Sequence, residues 1–460
     1  MKGINNSTLL NGSRLQWVAG NLPRVAAVLA LAAFVQMVGL AQSPLFKTEF
    51  VSLRAQTYGL LYSPTTMGPE SSVGLISMHP NGSRLTSLAC IEFAKRGFRV
   101  LCIAGQYVNS SRETMIWERL PLDLKPAVNY LRQLPGLEKV ILLGGSGGGP
   151  LMSFYQNVAE NGVKACQVPG RLGQCTDELK DLPAADGVIL RDPHFGYGSI
   201  LLSALDPSVV DEESPSEVNR SLDLFDPSNG YDPKGATYSE EFKRRFFKAQ
   251  ADRMDRLTQL ALERLEKIEK GEGDYSDDEP FVIGRAGARM WQADLSLVSR
   301  TKRAHPVLKP DGSVKIEIAR SVRVPSLNLE SNETFSGAQV NSVKAFLSTH
   351  AIRTTSEYFI TEDDIEGIDW NSSNTATPAN LEGVHVPILI MGMTGYYWMV
   401  ATEIFYDHAA SRDKTLIFIE GASHGVTPCR ACESTPGEFG DTVKRAFDYA
   451  ADWIGDRFVP

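Results

Sequence analysis

The chain has 460 residues, a net charge of −9 and six cysteines. The acidic balance, with no basic run, excludes a surface built for nucleic acid. The length and the 43% hydrophobic content allow either one large domain carrying an insertion or two domains.

Residues 25–41 are the longest uncharged apolar stretch, preceded by Lys2, Arg14 and Arg24 and interrupted by Gln36. The stretch is short for a transmembrane helix. With small residues at Gly39-Leu40-Ala41 or Ala41-Gln42-Ser43, residues 1–41 read as an export signal, or as an anchor if uncleaved, in which case they are the only expected membrane contact. The expected location is periplasmic or secreted, and cytoplasmic if the leader is not a true signal.

Beyond the leader, strand-like and helix-like segments alternate as expected for a mostly parallel sheet. Phe50 to Leu61 predicts a hairpin, and Val73 to Met78 a buried strand ending at His79-Pro80-Asn81-Gly82. A helix over Thr86 to Arg96, a strand over Phe98 to Ile103 and an amphipathic helix over Leu122 to Leu134 follow. Val140 to Leu143, Gly187 to Leu190, Pro387 to Met391 and Thr415 to Glu420 predict further strands, and Asp441 to Phe458 a closing helix. Between them lies a block of different texture. Ser239 opens a helix to about Lys270, with acids in its first turn and apolar residues at helical spacing, and Pro310-Asp311-Gly312 marks a hairpin. The expected layout is a core over 45–198 and 385–460, interrupted by a mainly helical cap over 199–384.

Cys166 and Cys175 flank one loop and Cys429-Arg-Ala-Cys432 spans another, so each pair is expected to close a small disulfide in an oxidising compartment. Cys90 and Cys102 sit in helix-like and strand-like apolar patterns and read as buried thiols. No second C-x-x-C or His pair has zinc spacing, and neither a metal nor an organic cofactor is implied.

Val140 to Leu143 runs straight into Gly144-Gly145-Ser146-Gly147-Gly148, a G-x-S-x-G arrangement. Such a turn holds its serine at strained φ/ψ, lifts the hydroxyl above the sheet edge and aims the next helix at the same point. No Lys-Ser/Thr pair follows, and the spacing is not G-x-G-x-x-G, which argues against a nucleotide loop. Late in the chain, Leu416-Ile417-Phe418-Ile419-Glu420-Gly421-Ala422-Ser423-His424-Gly425 places a histidine just past an apolar strand.

The elbow, the strand order and the late histidine together resemble the α/β-hydrolase superfamily over about residues 50–200 and 385–458. The resemblance implies an α/β-hydrolase fold with the cap inserted before the penultimate core strand. It makes Ser146 the nucleophile, His424 its base, and the N–H groups of Gly147 and Asn81 the oxyanion donors. At Asn81 the family's His-Gly-x segment is altered by Pro80. The family slot for the acid, three residues past Gly392, holds Gly395. Glu403 and Asp192 remain as rivals, with Glu403 preferred because it follows on the same connection. Tyr396, Tyr397 and Trp398, just beyond that strand, are candidate pocket walls for an apolar or aromatic substrate. The expected activity is hydrolysis of a small carboxylic ester or lactone through an acyl-enzyme. Carbon–carbon bond hydrolysis or acyl transfer on the same triad is the first alternative, and a non-catalytic binding protein of this fold the second.

Overall fold

The computed structural model describes residues 45–108, 112–325 and 337–460; the apolar leader lies outside them. β1 (Phe46–Arg54) and β2 (Thr57–Pro64) pair antiparallel, and β2 pairs antiparallel with β4 (Arg99–Ala104). From there the next strands run parallel. β3 (Val73–Ser77) lies between β4 and β5 (Lys139–Ser146), and β6 (Gly187–Pro193) follows β5. The parallel strands are apolar without alternation, which requires cover on both faces. Val140 and Leu142 face one core with Leu124, Val128 and Leu151, while Ile141 and Leu143 face the other with Phe93, Phe447 and Ile454. The cover comes from α1 (Leu88–Lys95), α2 (Pro121–Arg132), α3 (Gly148–Asn161) and, at the other end of the chain, α7 (Thr442–Phe458).

The segment after β6 departs from a simple cap. It begins with the short helix α4 (Tyr197–Leu202) and then the long α5 (Glu240–Lys270). Ser239 Oγ accepts the Phe242 N–H at 3.1 Å, as expected of the residue that opens the helix, and Gly271 ends α5 with φ +73°. β7 (Pro280–Ile283) pairs with β10 (Gln339–Ser342), and β11 (Arg353–Ile360) with β12 (Ile365–Asp369), as small separate ribbons. β8 (Arg300–Leu308) and β9 (Val314–Arg320), however, extend the main sheet. The core closes with β13 (Ile388–Met393), α6 (Met399–His408) and β14 (Lys414–Ile419), and β8 runs parallel to β14. The ten-stranded order is β1-β2-β4-β3-β5-β6-β13-β14-β8-β9. The expectation of a mainly helical cap spanning 199–384 is thus corrected: the hairpin around Pro310-Asp311-Gly312 belongs to the sheet. The described residues from Leu45 to Pro460 form one compact unit.

All six cysteines are paired, as Cys90–Cys102, Cys166–Cys175 and Cys429–Cys432. The reading of Cys90 and Cys102 as thiols is corrected. Both are fully buried, and the packing of α1 on β4 brings their Cα atoms to 6.4 Å, within disulfide reach. Among the described residues no helix is long and apolar enough to cross a membrane.

Candidate active site

Ser146 is the last residue of β5 and has φ +56°, a left-handed conformation that a non-glycine residue adopts at a cost. The glycines around it are set by contact. A Cβ on Gly144 would stand 2.5 Å from the Gly148 carbonyl oxygen, because α3 begins at once and folds back over the strand. The first amides of α3 have no partner inside the helix, and together with the helix dipole they make this a place where negative charge is favoured.

Asp192 and His424 meet beside this turn. β6 is hydrogen-bonded to β5, with Pro193 in register with Ser146, so Asp192 reaches the same sheet edge. It has φ +44° and is fully buried. His424 lies on the loop after β14, which is closed by bonds from Ser423 N–H to the Thr427 carbonyl and from Val426 N–H to the Ser423 carbonyl, each at 2.8 Å. His424 Nδ1 and Asp192 Oδ2 are 2.5 Å apart. Burial pushes the Asp192 carboxyl above the usual carboxylate range, and the contacts with His424 and Arg191 oppose that. A carboxylate so poor in solvation is stabilised by positive charge on its partner, which is the work of a group that holds an imidazolium. Arg191 also donates to the His424 carbonyl oxygen at 3.3 Å.

Glu403, the preferred acid in the sequence, is elsewhere. It accepts the backbone N–H groups of Lys302 (2.7 Å) and Arg303 (3.1 Å) and contacts His305 Nε2 at 2.7 Å, tying α6 to the start of β8. The partner of the His424 imidazole is Asp192, and the preference for Glu403 is corrected on that geometry. Burial works against the charge on Glu403, but His305 and the two amides prevail and hold its carboxyl below the usual range.

Ser146 and His424 line one cavity of about 270 Å³, together with His79, Asn81, His194, Tyr197, Arg289, Trp291, Tyr396, Tyr397 and Trp398. Tyr396 stacks on the His424 ring (centroids 4.5 Å apart, planes at 20°) and Trp398 meets it edge-on at 4.8 Å. The Tyr396 hydroxyl donates to Tyr397 Oη at 2.8 Å, and Trp291 stacks on Tyr397 at 5.9 Å. All three aromatic residues named from the sequence therefore face the cavity. Arg289 and Trp291 come from the segment between β6 and β13. Burial lowers the Arg289 pKa to about 10, against the pull of Tyr397 and Tyr396, and leaves it a cation at neutral pH.

Asn81 also lines the cavity, but its backbone N–H is turned towards Nδ1 of its own neighbour His79, at a long 3.5 Å. The backbone donor expected there is directed into its own turn. The sequence reading passed over His194, which the Asp192 turn carries into the cavity. The signal available was position: His194 stands two residues past Asp192. Among the described residues no group of three or more His, Cys, Asp or Glu is placed to hold a metal ion.

A mostly parallel sheet in the order 1-2-4-3-5-6 followed by two further parallel strands, a serine on the turn after the fifth and a histidine past the last of them, is the α/β-hydrolase fold. No family model matches the chain, and no curated protein does. Among solved structures, the chain is similar to esterase B from Lactobacillus rhamnosis (11% identity, TM-score 0.37, covering 94% of this chain and 95% of that one). It is also similar to dienelactone hydrolase from Anabaena variabilis (11%, TM-score 0.35, 90% and 98%). A third is brefeldin A esterase, a bacterial homologue of human hormone sensitive lipase (12%, TM-score 0.38, 94% and 84%).

Proposed function

We propose that the protein is a serine hydrolase that cleaves a small carboxylic ester or lactone through an acyl-enzyme. The observation that carries this reading is the contact of buried Asp192 with His424, which faces the cavity that Ser146 lines. A serine hydroxyl is a weak nucleophile at neutral pH and needs a base. His424, with Nδ1–H donated to Asp192, presents Nε2 to take the Ser146 proton. As Oγ bonds to the carbonyl carbon, the π electrons move to oxygen, and the Gly147 N–H at the start of α3 stabilises that charge. His424 returns the proton to the departing alkoxide, and water then releases the acid by the same route. The aromatic wall formed by Tyr396, Tyr397, Trp398 and Trp291 favours an apolar or aromatic substrate, and about 270 Å³ of cavity favours a small one. The three disulfides support a working site in an oxidising compartment.

The test is covalent labelling. A fluorophosphonate probe should add one phosphonyl group, mapped by mass spectrometry to Ser146. Ser146→Ala should fold normally and lose turnover of phenyl acetate and of a small aryl lactone by about 10⁴-fold or more. Turnover within tenfold of the parent would refute the assignment.

A further inference from the structure

The turn away of the Asn81 N–H leaves Gly147 as the backbone donor at the elbow, and Pro80 has no N–H to offer in its place. The space beside Gly147 is occupied instead by side-chain donors. A Cβ built on Gly147 would stand 2.8 Å from Tyr197 Oη, 2.9 Å from His79 Nε2 and 3.1 Å from His194 Nε2. The absence of a side chain at 147 is what lets these groups close on the turn.

The donor of His194 is fixed by a bond to its own ring. Its Nδ1 accepts the Gly196 N–H at 3.1 Å, so the neutral ring carries its proton on Nε2, the atom beside Gly147. The ring is held edge-on between Tyr197 (centroids 5.0 Å) and Trp398 (5.2 Å). Its backbone is anchored by Thr377, whose hydroxyl donates to the His194 carbonyl oxygen at 2.7 Å. Burial, reinforced by the facing His79 and His424, pushes the His194 pKa well below its ordinary 6.5. Neutrality matters here. A cationic donor beside His424 would oppose the proton that His424 must take from Ser146, whereas a neutral N–H stabilises an oxyanion without that penalty.

We propose that His194 Nε2–H is a side-chain oxyanion donor that completes, with the Gly147 N–H, the hole for the tetrahedral intermediate formed on Ser146. This rests on the serine-hydrolase reading above. His194 transfers no proton. The Ser146 proton goes to His424, the carbonyl π pair goes to oxygen, and His194 donates a hydrogen bond to that oxygen until the leaving group departs.

The test compares His194→Phe, which keeps a ring and loses the donor, with His194→Gln, whose amide nitrogen keeps a donor near the Nε2 position. Phenyl acetate hydrolysis and inhibition by an aryl trifluoromethyl ketone, which forms a tetrahedral adduct on serine, are the readouts. His194→Phe should lower kcat by about 10²–10³-fold with KM within about threefold, and weaken the ketone by a similar factor. His194→Gln should recover at least tenfold of the lost kcat. Unchanged kcat in His194→Phe, or lost kcat with undiminished ketone affinity, would overturn the proposal. Should His194→Phe fail to fold, the parent protein decides. With ¹⁵N-labelled histidine, the Nε2–H signal absent from His194→Gln should move downfield on adduct formation, and a static signal overturns the inference. Failure of the underlying reading looks different: the phosphonate would not label Ser146, and Ser146→Ala would retain activity.

Discussion

Two buried carboxylates, Asp192 and Glu403, separate cleanly by what they touch. Asp192 holds an imidazole that faces the cavity, and Glu403 holds a strand end and a second imidazole, that of His305. Asp192→Asn preserves shape but removes the charge that favours imidazolium, and its amide can impose the wrong tautomer, so kcat should fall by roughly 10⁴, the magnitude of the equivalent change in a serine protease. Glu403→Gln should leave kcat within tenfold and instead lower stability. The sign follows from its depressed carboxyl pKa: Glu403 contributes stability above the ordinary value of 4.5, lost as pH falls through the folded value. Denaturant titrations of the parent at falling pH should therefore show an acid slope that Glu403→Gln flattens. The opposite ranking in kcat would return the acid role to Glu403. The elbow and the histidine were legible because each is a local pattern, a glycine-flanked serine after an apolar run and a histidine just past another. The carboxylate that contacts His424 was not, because the choice depends on which strand lies beside β5, and register between β5 and β6 is a long-range property. His194 was hidden for the same reason.

Segments with strong periodicity and caps were readable as elements. α5 begins after Ser239 and ends at Lys270, as its sequence predicts. The β8–β9 hairpin was visible through its turn, yet its place was not. β8 opens on four polar residues, Arg300 to Arg303, and carries Pro306, the composition of a strand near a sheet margin, and nothing local says which sheet it joins. The inserted segment is fastened in turn by a buried cation. Arg253 on α5 has no exposed surface and bonds to Glu212 at 2.8 and 2.7 Å, with further donors to the Asp206 and Gly284 carbonyl oxygens. Glu212→Ala would strand that guanidinium without its counter-charge. Urea unfolding should show a loss of about 3 kcal/mol, the low end for a broken buried pair because the carbonyls remain. A loss under 0.5 kcal/mol would mean that the carbonyls alone satisfy Arg253.

Across the whole molecule the three disulfides do different work, and their loop sizes say how much. Cys90 and Cys102 are 12 residues apart and join α1 to β4, whereas Cys429 and Cys432 are 3 apart, on the loop that follows His424. By the chain-entropy relation the first stabilises the fold by about 3 kcal/mol and the second by about 2 kcal/mol. The second is nearer the chemistry. Cys429 N–H donates to the Gly421 carbonyl at 2.8 Å, and a Cβ on Gly395 would stand 2.7 Å from the Ala422 carbonyl oxygen and 2.8 Å from the Cys429 Cβ, so the chain on both sides of His424 is packed against the β13 end. Loosening Cys429 releases one end of that clamp, and the cost falls on the placement of the imidazole opposite Asp192. Cys90→Ala with Cys102→Ala should therefore lower unfolding free energy by about 3 kcal/mol and leave kcat unchanged. Cys429→Ser with Cys432→Ser should cost less stability but reduce kcat severalfold, with KM little altered. Equal kcat in the two double variants would place the C-x-x-C outside the machinery that orients His424, leaving Asp192 and the stacked Tyr396 to hold the ring.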